Sequence, residues 1–233
     1  ANDDCLDPWW DSDWDYKQKI TLNTDLLASD VTRDHTLLIH ILPTNTDFWA
    51  NTQVAGQDVR FLDSTESTVY DYNYEGFDHT THDANVWVEI TETFDSDANT
   101  FLYMYFGNAA ATTYANSSNT YPASDYNAAW KFSDSSTPAV DWAGADFSLT
   151  HVNTPTLNVA GQIQGSVSYK GESSQYSKHL TFMDGVIGSY SFSLIFKPKN
   201  TFNAAAPDTN YDYILEKESV HTSGHEEHPI RLW

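Results

Sequence analysis

"TFLYMYFGNAAATTYANSSN", residues 100–119, carries six consecutive apolar side chains from Phe101 to Phe106, a Gly-Asn pair, and then a run of Ala, Thr and Ser. Six apolar positions bounded by turn residues are too few for an ordinary helix and read as a strand buried in a sandwich. Gly107 and Asn108 are residue types that turn the chain where other side chains resist. The tail has little to bury and reads as an exit towards a further domain.

The same grammar extends outward in both directions. In "YKQKITLN" (16–23), Tyr16, Ile20 and Leu22 fall on one face and Lys17, Lys19 and Thr21 on the other. "HTLLIHIL" (35–42) is apolar on both faces and reads as a central strand. "DVRFL" (58–62), "VYDYNYE" (69–75) and "NVWVEI" (85–90) alternate with period two, and Asp-, Asn-, Ser- and Gly-rich stretches separate them. "DSDAN" (95–99) reads as a hairpin turn into the strand that follows it. Six such strands make an antiparallel sandwich. Beyond the loop the rhythm resumes in "AAWKF", "DFSLT", "GSVSYK", "KHLTFM", "YSFSLIFKP", "YDYILEK" and "PIRLW". The expectation is an all-β chain of two tandem antiparallel β-sandwich, jelly-roll-like domains. It has an acidic Trp-rich arm (1–15), a first sandwich (16–115), a linker (116–126) and a second sandwich (127–233). Because "PIRLW" ends as if in mid-strand, the second sandwich reads as incomplete, finished by a longer polypeptide or by a neighbour's strand.

Composition narrows the function classes. Aromatic residues are 15% of the 233, which suits strands. The 33 acidic against 11 basic residues give a formal net charge of −22. Such a surface repels phosphate backbones and anionic lipid, so nucleic-acid partners are disfavoured. No apolar run is long enough for a membrane-spanning helix. A single cysteine, Cys5, excludes an internal disulfide. Few lysines among abundant Asn, Thr, Ser and Asp suggest a secreted or cell-surface protein whose signal peptide has been removed.

"WDYKQKITL", "GQDVRFLDST", "NVWVEI" and "FLYMYFGNAAAT" resemble, in order and spacing, the bacterial domain of unknown function 2341, over about residues 14–115. Lys17 stands where that pattern has Arg, and Phe106 where it has Tyr. The remainder is similar to a laminin-G or concanavalin-like jelly roll: "GQIQGSVSYKGESSQYSKH", "YSFSLIFKP" and "ILEKES…PIRLW" carry that likeness, with Phe196 in place of a common Trp. The resemblance implies an exported protein with binding or adhesive work and no known catalysis in the first domain. It also implies an association with envelope proton channels of the MotA/TolQ type.

Candidate site residues fall in three groups. Asp11, Asp13 and Asp15 alternate in "DSDWD", a spacing able to offer oxygens to Ca²⁺, although Tyr16 and Leu22 stand where an EF-hand needs Gly and Glu. His221, His225 and His228 in "HTSGHEEHP" could ligate Zn²⁺ or Cu²⁺ or form a plain polar loop, since Gly224 and Pro229 argue against a helix. Trp9, Trp10 and Trp49 lie in polar surroundings and are the candidates for stacking on sugars. There is no GxSxG and no phosphate-cradling glycine loop. The leading expectation is therefore a non-catalytic adhesion protein recognising glycans or surface polymers, with Ca²⁺ as its candidate cofactor. The alternatives are a self-assembling subunit of an extracellular filament or array, completed by copies of itself, and an exported sensor.

Overall fold

The computed structural model describes residues 9–144, 146–170, 175–179 and 191–195. The chain divides into two compact units, Ala1–Asp184 and Gly185–Trp233. Of the second, the described residues 191–195 form neither strand nor helix. All the strands and helices among the described residues therefore belong to the first unit.

Two antiparallel sheets face each other. One has the order β1-β7-β3-β4, from Tyr16–Leu22 (β1), Thr100–Phe106 (β7), Arg60–Leu62 (β3) and Val69–Tyr70 (β4). The other has the order β2-β6-β5, from His35–Ile41 (β2), Asp83–Ile90 (β6) and Tyr72–Asp78 (β5). Alternation sorts the side chains: Val86, Val88 and Ile90 of β6 and Leu102, Met104 and Phe106 of β7 fill the interior with Phe61, Tyr70 and Tyr72. Strands form in all six segments expected before residue 107, but "VYDYNYE" breaks at Asp71 into β4 and β5, which lie in different sheets; the face assignment within 16–22 agrees with the register, which sets Ile20 opposite Leu102. Gly107 ends β7 with φ +92°, and an added Cβ there would meet the Tyr16 ring at 2.5 Å.

Two further details differ from the expectation. The β2 strand is an edge strand rather than a central one. Its second face is covered by the chain after the first sandwich: Thr36 donates its N–H to Tyr126 Oη at 3.0 Å and its Oγ1 to the Thr120 carbonyl at 2.6 Å. Residues 91–99 are not a hairpin, because β6 and β7 lie in different sheets; the segment crosses between them, held by Phe94 bridging to Val31.

Both sheets carry such covers. Over the outer face of β7, Trp14 is buried with Leu62 and Tyr105, and Trp10 packs beside them. Over the other sheet run residues 116–131, including the short helix α2 (Ser117–Thr120), whose Asn116 donates its N–H to the Tyr72 carbonyl at 2.8 Å. Tyr121 is buried there, facing Trp87 at 6.0 Å between ring centroids. Further on, Thr156–Ala160 (β9) and Gly165–Ser168 (β10) form a hairpin whose tip accepts a hydrogen bond from Asn85 Nδ2 on the Ile163 carbonyl. Thr150–Val152 (β8) pairs with Tyr176–Lys178 (β11). Among the described residues no helix is long and apolar enough to cross a membrane.

Candidate functional site

Successive residues of a strand point to opposite faces, so the inward set Leu102, Met104 and Phe106 leaves Phe101, Tyr103 and Tyr105 outside. The N-terminal cover buries Tyr105 but leaves Phe101 and Tyr103 half-buried, with their ring centroids 5.7 Å apart. Lys19 and Lys17, on the paired strand β1, flank them. Lys19 Nζ lies 3.6 Å from the Phe101 ring centroid and Lys17 Nζ 4.8 Å from that of Tyr103. Lys17 also reaches Glu66 Oε1 at 3.0 Å and the ring of Trp9 at 5.2 Å. Trp9 is 43% exposed, and its indole N–H donates to the Trp14 carbonyl at 2.8 Å. The result is a surface strip of rings and ammonium groups running from Trp9 to Phe101, of the kind cation–π attraction favours.

At the Phe101 end the strip opens into a cleft of about 330 Å³ lined by Ser64, Glu92, Thr93, Asp95, Ala98, Asn99 and Thr100. Its polar groups are held in place. Glu92 Oε1 accepts from both the N–H and the hydroxyl of Ser64, at 2.9 and 2.7 Å. Asp63 fixes the adjoining turn by accepting from Ser67 N–H at 2.7 Å, Thr68 N–H at 3.1 Å and the hydroxyls of Thr65 and Ser67. Burial pushes the Asp63 carboxyl up, but these donors outweigh it and hold the group below its ordinary value. An aromatic wall beside fixed hydroxyl, amide and carboxylate groups can stack on an apolar ring face while hydrogen-bonding its rim.

The expected residues fare unequally. Trp9 joins the strip. Trp10 is half-buried, 4.9 Å from Trp14 and 5.8 Å from Tyr105 between centroids, and its backbone N–H donates to Tyr105 Oη. Trp49 is removed from consideration, being only 3% exposed. Helix α1 (Thr46–Asn51), capped by Asn45, turns it into the end of the core. There its indole donates to the Leu42 carbonyl at 2.9 Å and its ring stacks on His82. Asp11, Asp13 and Asp15 are not brought together: among the described residues no three His, Cys, Asp or Glu side chains are grouped as ligands of an ion would be. Asp11 Oδ1 instead accepts the Asp13 N–H at 2.9 Å, shaping a turn that sends Trp14 inward. Cys5, His221, His225 and His228 lie outside the described residues.

Residues 9–15, expected within the acidic Trp-rich arm, are bound to their own sheet. Trp14 Nε1 donates to the Asp58 carbonyl at 2.6 Å, and the Arg60 guanidinium sits 5.2 Å from the Trp14 ring. Sequence reasoning passed over Phe101 and Tyr103 because β7 is apolar on both faces. The signal that could have found them was the polar face of β1, where Lys17 and Lys19 stand opposite Tyr105 and Tyr103.

β7 and the residues lining the cleft fall within a stretch that has a family likeness, whereas β1 and Trp9 lie outside it. Residues 55–143 match the family model described as a domain of unknown function (DUF2341). The matched stretch starts later than the resemblance in the sequence suggested and runs on through residues 116–143, the cover of the second sheet. No curated protein and no solved structure matches the chain.

Proposed function

We propose that the protein is a non-catalytic binding protein of the cell exterior, and that its ligand is a glycan or similar surface polymer laid across Phe101 and Tyr103. The observation that carries this reading is the pair of neighbouring, partly exposed rings on one sheet face, leading into a cleft of fixed hydroxyl, amide and carboxylate groups. Lys19 and Trp9 extend the contact along the strand direction. The excess of acidic residues favours neutral over anionic polymers. The likeness of residues 127–233 to a laminin-G-type jelly roll belongs to the same proposal, as a second binding module.

The test is calorimetry and affinity electrophoresis against soluble neutral and acidic polysaccharides, in Ca²⁺ and in EDTA, for the parent and for Phe101→Ala/Tyr103→Ala. The reading expects at least one neutral polysaccharide to bind and the double variant to lose roughly tenfold in affinity, about 1.4 kcal/mol. No binding to any polymer, or equal binding by the variant, refutes it.

A second reading has its own observation. Strands β1 and β2 each lack a partner strand on their outer edge among the described residues, and a cleft of about 320 Å³ opens between them, lined by Ile20, Ile39, Ile41, Leu42 and Met104. The lining of this cleft has no Asp, Glu, Lys or Arg, and such a lining invites an added strand, here one from a second copy. Sedimentation equilibrium decides it: a monomer at every accessible concentration rules the assembly reading out.

A further inference from the structure

On the outer face of the three-stranded sheet, β5 presents Asn73 and Glu75, two residues apart and therefore side by side. Lys131, from the covering segment, reaches into the space between them. Its Nζ lies 3.3 Å from Asn73 Oδ1 and 3.6 Å from Glu75 Oε2. The two charged side chains are almost sealed, with 4% of Lys131 and 3% of Glu75 exposed. Rings form the walls: Nζ lies 3.8 Å from the Trp142 centroid and 5.9 Å from that of Tyr121. Trp87 Nε1 donates to Glu75 Oε2 at 2.8 Å, which fixes the carboxylate.

A buried ion pair gains little over an apolar substitute, since both groups lose their water. The arrangement makes better sense as chemistry. We propose that Lys131 and Asn73 join in an isopeptide bond, with Glu75 carrying the proton. The uncharged Nζ attacks Asn73 Cγ, the carbon bonded to the oxygen it already touches, and the new C–N bond places the electron pair on Oδ1. Glu75 takes a proton from Nζ and passes it to Nδ2. The oxyanion collapses, the Cγ–Nδ2 bond breaks, and Nδ2 leaves as ammonia. The product is a secondary amide; Glu75 is regenerated and nothing is oxidised or reduced.

Two features favour the step. Burial pushes the Lys131 amine down to about 8 despite the upward pull of Glu75, so much of it is nucleophilic in mildly alkaline medium. The contact that holds Nζ 3.3 Å from Asn73 Oδ1 replaces the improbable encounter of an amine with an unactivated amide. The bond would fasten the cover to the sheet covalently, independently of any ligand at the aromatic strip.

The experiment is intact-mass measurement of the full chain after incubation at pH 8.5, followed by proteolysis and fragmentation. The expected result is a chain lighter than its sequence by one ammonia, with a branched peptide joining Asn73 to Lys131. Lys131→Met and Glu75→Gln abolish the loss, whereas Asn73→Asp loses water instead. Because the parent protein decides the matter, misfolding of a variant does not rescue the idea. An unaltered parent mass overturns it, and so does a loss of ammonia without the branched peptide, which marks a succinimide formed elsewhere.

Discussion

Glu89 offers a direct test of how the second sheet and its cover share charge. Its side chain stands on the outer face of β6, opposite Thr36, with Asp34 ahead of β2, Asp71 between β4 and β5, and Asp125 in the covering segment around it. Burial first, and then those three carboxylates, push Glu89 from 4.5 up to about 7. A raised carboxyl means that the folded protein holds a proton the unfolded chain releases. Stability is therefore penalised in full above pH 7, and the penalty disappears as pH falls towards 4.5. A displacement of that size is worth about 3 kcal/mol at most, and partial solvation of the group reduces it to roughly 1–2 kcal/mol. Glu89→Gln imitates the protonated acid. Urea unfolding at pH 8 should show the variant more stable by roughly 1–2 kcal/mol, and at pH 4.5 the two proteins should agree within a few tenths. Equal stabilisation at both pH values, or a destabilised variant at pH 8, refutes the argument that burial and charge repulsion under the cover set this cost.

Other outcomes test the frame of the site. Asp58 is fully buried and accepts from Thr52 Oγ1, Gln53 N–H and Gly107 N–H. Asp58→Asn turns an amide N–H towards donors and should cost about 2–3 kcal/mol in chemical denaturation, with a smaller loss sinking the idea of a charged hub. Trp14→Ala removes the centre of the N-terminal cover and should cost about 3–5 kcal/mol, while Trp14→Phe, which forfeits mainly the bond to the Asp58 carbonyl, should cost about 1 kcal/mol. Equal losses would show that packing alone matters there. Gly107→Ala forces a side chain to φ +92° against Tyr16 and should lower stability by about 1–3 kcal/mol, and an unchanged melting curve would contradict that geometry.

The strands were legible because period-two alternation is written into each segment, as in Ile20 and Leu22 against Lys17 and Lys19. Which sheet a strand joins is not written there. The same apolar double face that suggests a central β2 arises when an edge strand is covered by a later segment, and the bond that Thr36 N–H donates to Tyr126 Oη is invisible at a separation of 90 residues. Trp49 misled for a related reason: its polar neighbours belong to a one-turn helix end, while its ring enters the core. Asn73 and Lys131 meet 58 residues apart only because the cover lies across β5, so neither residue type nor local spacing announces them. The likeness to the family was legible at β3, β6 and β7, where Phe61, Val86 and Met104 set the core.

The pairing of the first strand with the seventh sets a schedule for synthesis. A chain made from its N-terminus produces Trp10 long before its partner Tyr105, 95 residues later. At ribosomal rates of about 5–20 residues per second that interval is about 5 to 20 s, during which Trp9, Trp10, Trp14 and the apolar side of β1 have no sheet to rest on. Any factor that holds nascent tryptophans, or any second nascent chain nearby, meets them in that interval. The interval ends once β7 is there to pair between β1 and β3.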